Sequence, residues 1–132
     1  TAHVMGALMA KFYHAVKNKS SEVVVWGTGK PRREFLYVDD FVRGVLFLMQ
    51  NYSSEELINL GVGEDITIKE LAQMVAQVSG FKGRITFDTS KPDGSMRNVL
   101  DSSKVKALGW KPKIDLEAGI RQTYHAYRKE VK

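Results

Sequence analysis

Between two apolar runs the chain carries Trp26-Gly27-Thr28-Gly29-Lys30-Pro31-Arg32-Arg33-Glu34-Phe35, a glycine-punctuated turn with one large aromatic and three cations. Trp offers a flat face to a base or sugar, and Arg a planar fork that matches phosphate oxygens two at a time. The grouping suits a nucleotide diphosphate. On spacing alone it is equally a solvated basic hairpin with its Trp half-buried. The other residues able to do chemistry are more isolated. His3 stands alone at a helix start, and spacing makes it a terminal surface residue, because a lone histidine without a partner is poor evidence of acid–base chemistry. His14 and His125 have no stronger claim, and Asp93 in Pro92-Asp93-Gly94 reads as a turn-former.

Cofactor motifs fail residue by residue. Gly27-x-Gly29 follows a strand pattern, as a dinucleotide fingerprint should, but Arg32 occupies the third glycine position and Pro31 interrupts any helix there. A phosphate-binding loop fails as well, because Pro31 replaces its Ser or Thr and Val24 its first glycine. Gly61-x-Gly63 runs into Glu64-Asp65, whose charge repels a pyrophosphate. Tyr13-x-x-x-Lys17 places a lysine one helical turn from a tyrosine, the spacing that lowers a catalytic Tyr pKa in short-chain dehydrogenases, yet no serine precedes it to complete that chemistry.

The elements that must position these residues follow from periodicity. Val4, Ala7, Leu8, Phe12, Ala15 and Val16 recur at helical spacing, and Val23 to Trp26 reads as a buried strand. A second strand is expected over Glu34 to Val38. Asp39 and Asp40 then stand as caps of a helix from Phe41 to Asn51, apolar almost all round and expected to be deeply buried. Leu57 to Leu60 is a third short strand. Thr67 and Glu70 have capping-box spacing for a helix from Ile68 to about Val78, stopped by Gly80, with Ile66 and Leu71 placed as its hydrophobic staple. Arg84 to Asp88 is a fourth strand with Ile85 and Phe87 inward, and Thr89 to Asn98 a polar loop. Helices from Ser103 to Leu108 and from Asp115 onward complete the order, the last with Leu116, Ile120, Tyr124, Tyr127 and Val131 on one stripe. The order predicts a small α/β layer structure with a short mixed sheet and about five helices.

Length and composition bound the rest. At 132 residues and 43% hydrophobic content the chain is one domain with enough apolar mass for a core. No run approaches the roughly 20 apolar residues of a membrane span. There is no cysteine, so neither a disulfide frame nor a thiolate metal site is expected, and the cytoplasm is the default compartment. The net charge of +5 permits nucleic-acid binding, but Lys and Arg are scattered over every segment, so no nucleic-acid partner is expected.

Several segments together resemble a known family. They are His3-Val4-Met5-Gly6-Ala7-Leu8, Val23 to Gly29, Arg33-Glu34-Phe35-Leu36-Tyr37-Val38-Asp39-Asp40, Ile58 to Gly63, and Phe87-Asp88-Thr89-Ser90-Lys91-Pro92-Asp93-Gly94, followed by Leu108-Gly109-Trp110 and Leu116 to Ile120. In this order they resemble the C-terminal half of the GDP-L-fucose synthases, which are extended short-chain dehydrogenase/reductases. The Arg-Glu-Phe-x-x-Val-Asp-Asp segment is shared across nucleotide-sugar epimerases and dehydratases, whereas Asp-Thr-Ser-Lys-Pro-Asp-Gly narrows the match. The resemblance implies a Rossmann-type NADP-binding domain, absent from this chain, joined to the present substrate domain. It implies epimerisation of GDP-4-keto-6-deoxy-D-mannose at C3 and C5, then reduction at C4 by NADPH. It puts Lys11, Trp26, Arg33 and Asp93 on substrate-binding positions. His3 falls on a histidine that borders the cofactor and acts as an acid in epimerisation, which reverses the reading from spacing. Gly6 replaces the family's Pro, Asn98 a frequent Lys, and Lys11 a common Arg, so the Lys11 contact is a point charge and not a fork. The Ser, Tyr and Lys of proton transfer, the epimerisation cysteine and the cofactor fingerprint belong to the family's other half. The chain alone is therefore expected to be inactive, without bound NADP(H) or metal, and monomeric, although its parent would be a homodimer. Other readings are a domain of another nucleotide-sugar epimerase or dehydratase, and a non-catalytic nucleic-acid or protein-binding module.

Overall fold

The structure, a computed structural model, describes residues 2–51, 65–94, 96–98 and 103–130, with only the backbone of Ala2, His3, Val38, Arg97 and Asn98. Helix α1 (Ala2–Lys17) packs on strand β1 (Glu22–Trp26), on α3 (Ile68–Ser79) and on α5 (Leu116–Glu130). Leu8, Met9, Phe12 and Ala15 of α1 meet Leu71, Ala72 and Val75 of α3 and Ile120 and Tyr124 of α5 in one core. Met5 and Met9 complete the α1 seam, while Val16 is 38% exposed.

Strand β1 pairs in parallel with β4 (Arg84–Asp88), Val23 opposite Ile85 and Val25 opposite Phe87. Alternation along β1 buries Val23 and Val25 and turns Val24 and Trp26 outward. The expected strand is therefore present but buried on one face only, because a pleated strand points successive side chains to opposite sides and helices cover just one of them. That geometry delivers the Trp26 ring to the surface.

The second strand differs from expectation. Its ladder is β2 (Arg32–Arg33), antiparallel to β3 (Ile66–Thr67) and parallel to β5 (Arg97–Asn98). Residues 34–37 are anchored by side chains instead. Phe35 packs against the core, and Tyr37 Oη donates to Leu116 O at 3.2 Å, its ring lying against Gly119 where any Cβ would collide. Burial, with the Asp115 charge adding to it, pushes the Tyr37 phenol up to about 12. The expected strand at Leu57–Leu60 and the turn Gly61–Gly63 lie outside the described residues.

Helix α2 (Val38–Asn51) starts three residues before the expected Phe41. Asp39 and Asp40 lie in its first turn rather than ahead of it, and the Asp40 carboxylate turns to another segment. Deep burial is not observed: Phe41, Val42, Leu46 and Met49 are all about half exposed or more. No described element packs over that face, whatever its apolarity.

Helix α3 follows its sequence signals. Thr67 Oγ1 accepts from Glu70 N at 3.0 Å, Glu70 Oε1 accepts from Thr67 N at 3.0 Å, and Gly80 closes the helix at a left-handed φ of 81°. Thr67→Ala should therefore destabilise the fold by about 1 kcal/mol, read as a lower urea midpoint at unchanged slope. Helix α4 (Ser103–Ala107) and the start of α5 beside Asp115 agree with expectation, and the Asp115 carboxylate caps α5 by accepting from Ala118 N at 2.7 Å.

Candidate functional site

Where β1 leaves the core its chain turns through Gly27, Thr28 and Gly29. Gly27 and Gly29 take left-handed φ values of 90° and 77°, which L side chains rarely adopt. Close approach adds a second demand, because a Cβ on Gly27 would run into the Asp93 carboxylate and one on Gly29 into the Phe87 ring. The two glycines thus let the turn lie flat on the loop that follows β4.

Thr28 ties the two segments together across 65 positions of sequence. Its N–H donates to Asp93 Oδ1 at 2.8 Å and its hydroxyl to Asp93 Oδ2 at 2.7 Å. Bonds from the Thr28 hydroxyl and N–H, aided by the Lys30 charge, outweigh the small cost of burial and hold the Asp93 carboxyl below its ordinary range. On its other side the turn receives the start of α3: Ile68 N donates to Pro31 O at 2.9 Å and Lys69 N to Gly29 O at 3.0 Å. These bonds satisfy helix N–H groups that have no partner within the helix.

The result is a cleft of about 300 Å³ between α1, the 26–33 segment and the 92–94 loop. Its walls include Lys11, Trp26, Arg33 and Asp93 together with Val4, Ala7 and Leu8 of α1. Four residues spread over 83 positions of sequence are thereby brought to one concavity of mainly apolar lining, the usual character of a small-molecule site. Trp26 is 63% exposed and presents its ring to solvent. Lys11 Nζ donates to Val24 O at 2.9 Å and stands 5.0 Å from the Trp26 ring centre. Partial burial lowers the Lys11 pKa. Arg33 is only 8% exposed; its Nη1 donates to Arg32 O at 2.8 Å, and Gly94 leaves room for its Nη2.

The other candidates part from this group. Arg32 points to the opposite side of β2 and pairs with Asp65, Nε to Oδ1 at 2.9 Å, while Lys30 is exposed outside the cleft lining. Tyr13, in the Tyr-x-x-x-Lys pattern, stacks edge-on against Tyr127 at 5.6 Å, a packing role. His3 lies in the first turn of α1, next in sequence to the cleft residue Val4, and its side chain lies outside the described residues. Thr28 escaped the sequence reading. A hydroxyl between two glycines was visible, but nothing local indicated a partner as distant as Asp93.

Comparison with known proteins agrees with the resemblance in the sequence. The model of the NAD dependent epimerase/dehydratase family matches residues 1–61. A putative GDP-L-fucose synthase 2 of Arabidopsis thaliana is 52% identical over 98% of this chain and 40% of its own length. A probable GDP-L-fucose synthase 1 of Oryza sativa subsp. japonica is 50% identical over the same shares, 98% and 40%. Among solved structures, a GDP-L-fucose synthetase from Naegleria fowleri bound to NADP superposes with a TM-score of 0.86 at 36% identity, covering 97% of this chain and 40% of the other. The chain spans about two-fifths of the length of these relatives. Over residues 1–61 it is similar to the NAD dependent epimerase/dehydratase family, and over nearly its whole length to a C-terminal part of the GDP-L-fucose synthases.

Proposed function

We propose that this chain is the substrate-binding part of a GDP-L-fucose synthase and holds the GDP-sugar in the cleft lined by Lys11, Trp26, Arg33 and Asp93. The observation that carries the reading is the convergence of those four residues, which the family resemblance marks from the sequence, on one concavity. Trp26 supplies a flat surface for an aromatic base or a sugar face. Arg33, set in a nearly buried position, offers its fork to diphosphate oxygens, and Lys11 adds a point charge beside the ring. Asp93 uses one direction of each oxygen on Thr28, and the remaining lone pairs can accept from ribose or sugar hydroxyls. His3, next to the cleft in sequence, is the candidate acid for epimerisation.

The described residues do not fit a dinucleotide. Where a dinucleotide pyrophosphate would need converging N–H donors in the 27–29 turn, the Thr28 N–H is already taken by the Asp93 carboxylate. NADP(H) is expected to be held mainly by the part of the parent enzyme outside this chain, with His3 at its border, and no step of hydride transfer is assigned to these residues. The chain alone is expected to hold substrate without turning it over, and the parent to act as a cytoplasmic homodimer. Among the described residues no helix is long and apolar enough to cross a membrane.

The test is the full-length enzyme supplied with GDP-4-keto-6-deoxy-D-mannose and NADPH. The expected result is consumption of NADPH with formation of GDP-L-fucose. Turnover of UDP-sugars in preference to GDP-sugars, or no turnover of either, would overturn the assignment.

A further inference from the structure

Trp26 is approached by a second cation besides Lys11. Lys91 Nζ, carried by the loop after β4, stands 5.2 Å from the centre of the same ring. With Lys11 Nζ at 5.0 Å, the two ammonium groups are no more than about 10 Å apart. Among the described residues neither has a carboxylate within ion-pair distance. Asp88 lies near enough for the Lys91 charge to act on it, but its Oδ1 is occupied by the Ser90 hydroxyl and N–H. Two like charges therefore share one exposed aromatic ring at the mouth of a cleft, an arrangement to which an anion brings the opposite charge.

We propose that Lys91 is a further binding residue for the diphosphate, closing on its oxygens from the rim of the cleft while Lys11 and Arg33 hold it from within. The span suits the ligand. A diphosphate carries its charge on oxygens distributed around two phosphorus atoms, so it can meet two ammonium groups up to this far apart, whereas a single phosphate meets widely spaced ones less well. Lys91 adjoins Pro92 and Asp93, which do line the cleft, so it needs only a side-chain rotation to follow the ligand. An exposed, flexible lysine is also suited to drawing an anion toward the site before the buried Arg33 engages it.

This inference rests on the reading of the cleft as a GDP-sugar site. Its test measures GDP, GMP and guanosine affinity by calorimetry on the full-length enzyme and on Lys91→Gln, Lys91→Arg and Arg33→Ala. Because Lys91 is exposed, its variants should melt at the wild-type temperature. Lys91→Gln is expected to weaken GDP about twofold to fivefold, as for one solvent-exposed charge pair, to weaken GMP less and to leave guanosine unchanged. Lys91→Arg should retain GDP affinity, and the salt dependence of GDP binding should be shallower in Lys91→Gln than in the wild type. Unchanged GDP affinity in Lys91→Gln, with weaker binding in Arg33→Ala, would overturn the role of Lys91 and leave the cleft assignment standing. If neither variant alters GDP affinity, both fail together.

Discussion

Arg33→Ala in the full-length enzyme should weaken GDP-sugar binding by about tenfold or more, because a charge-assisted hydrogen bond contributes roughly 1.5–3 kcal/mol and this guanidinium is poised to make at least one. Its burial is what raises the expected effect above that of Lys91. A nearly buried guanidinium has already shed most of its water, so a phosphate arriving there meets a donor whose attraction is little screened. Arg33 also donates to Arg32 O, so its removal disturbs the β2 segment. Arg33→Lys separates the two effects: it restores the charge but not the planar fork, and should recover only part of the affinity. Calorimetric titration with GDP, alongside melting curves of both variants, checks the prediction. Wild-type affinity in a folded Arg33→Ala would refute it.

The second large effect concerns stability. Asp40 is 1% exposed, and its carboxylate accepts from Lys113 N and Ile114 N, both at 2.9 Å, and from Arg43 Nη2 at 2.7 Å. It thereby pins the start of α2 to the segment leading into α5, beside the Tyr37 contact with Gly119. Asp40→Ala leaves two backbone donors and a guanidinium without their acceptor and should cost about 3 kcal/mol, measured by urea denaturation. Asp40→Asn keeps the volume but turns half of the acceptor into a donor, so it should rescue only part of the loss.

Burial raises the Asp40 pKa, but the bonds from Lys113 N, Arg43 and Ile114 N prevail and hold it below the ordinary 3.8. A folded-state pKa below the unfolded one stabilises the fold fully above pH 3.8, and that contribution fades as pH falls through the lower folded value. The wild type should thus lose stability on acidification below that point more steeply than Asp40→Asn. Urea midpoints for the two proteins measured down a pH series would show parallel curves if Asp40 were not the group responsible.

Local signals were the legible part of this molecule. The Thr67–Glu70 box and Gly80 act within four residues of themselves, so their chemistry is complete in the sequence. Parallel pairing of β1 with β4 was not, because strand partners separated by helices α2 and α3 and strands β2 and β3 leave no mark in either strand. The Glu34–Val38 strand failed for a related reason: its alternation was real, but Phe35 and Tyr37 use it to seat side chains on the core and on α5 and not to extend a ladder. Asp40 looked like a cap because caps are what acidic residues before a helix usually do, and its true partners lie 73 and 74 positions away. Apolarity suggested burial of α2, yet what covers a helix is decided by its neighbours. In the site, Trp26 and the basic turn stood out at once, with a phosphate site and a solvated hairpin equally open from spacing. Lys11 and Asp93 became candidates only through the family resemblance, and Thr28 and Lys91 only through the folded arrangement.

The most direct test of the proposal that the cleft holds a GDP-sugar is a crystal structure of the full-length enzyme soaked with GDP. The account predicts density for the diphosphate within hydrogen-bond distance of the Arg33 guanidinium and beside the Trp26 ring. GDP bound elsewhere, with this cleft filled only by solvent, would contradict it.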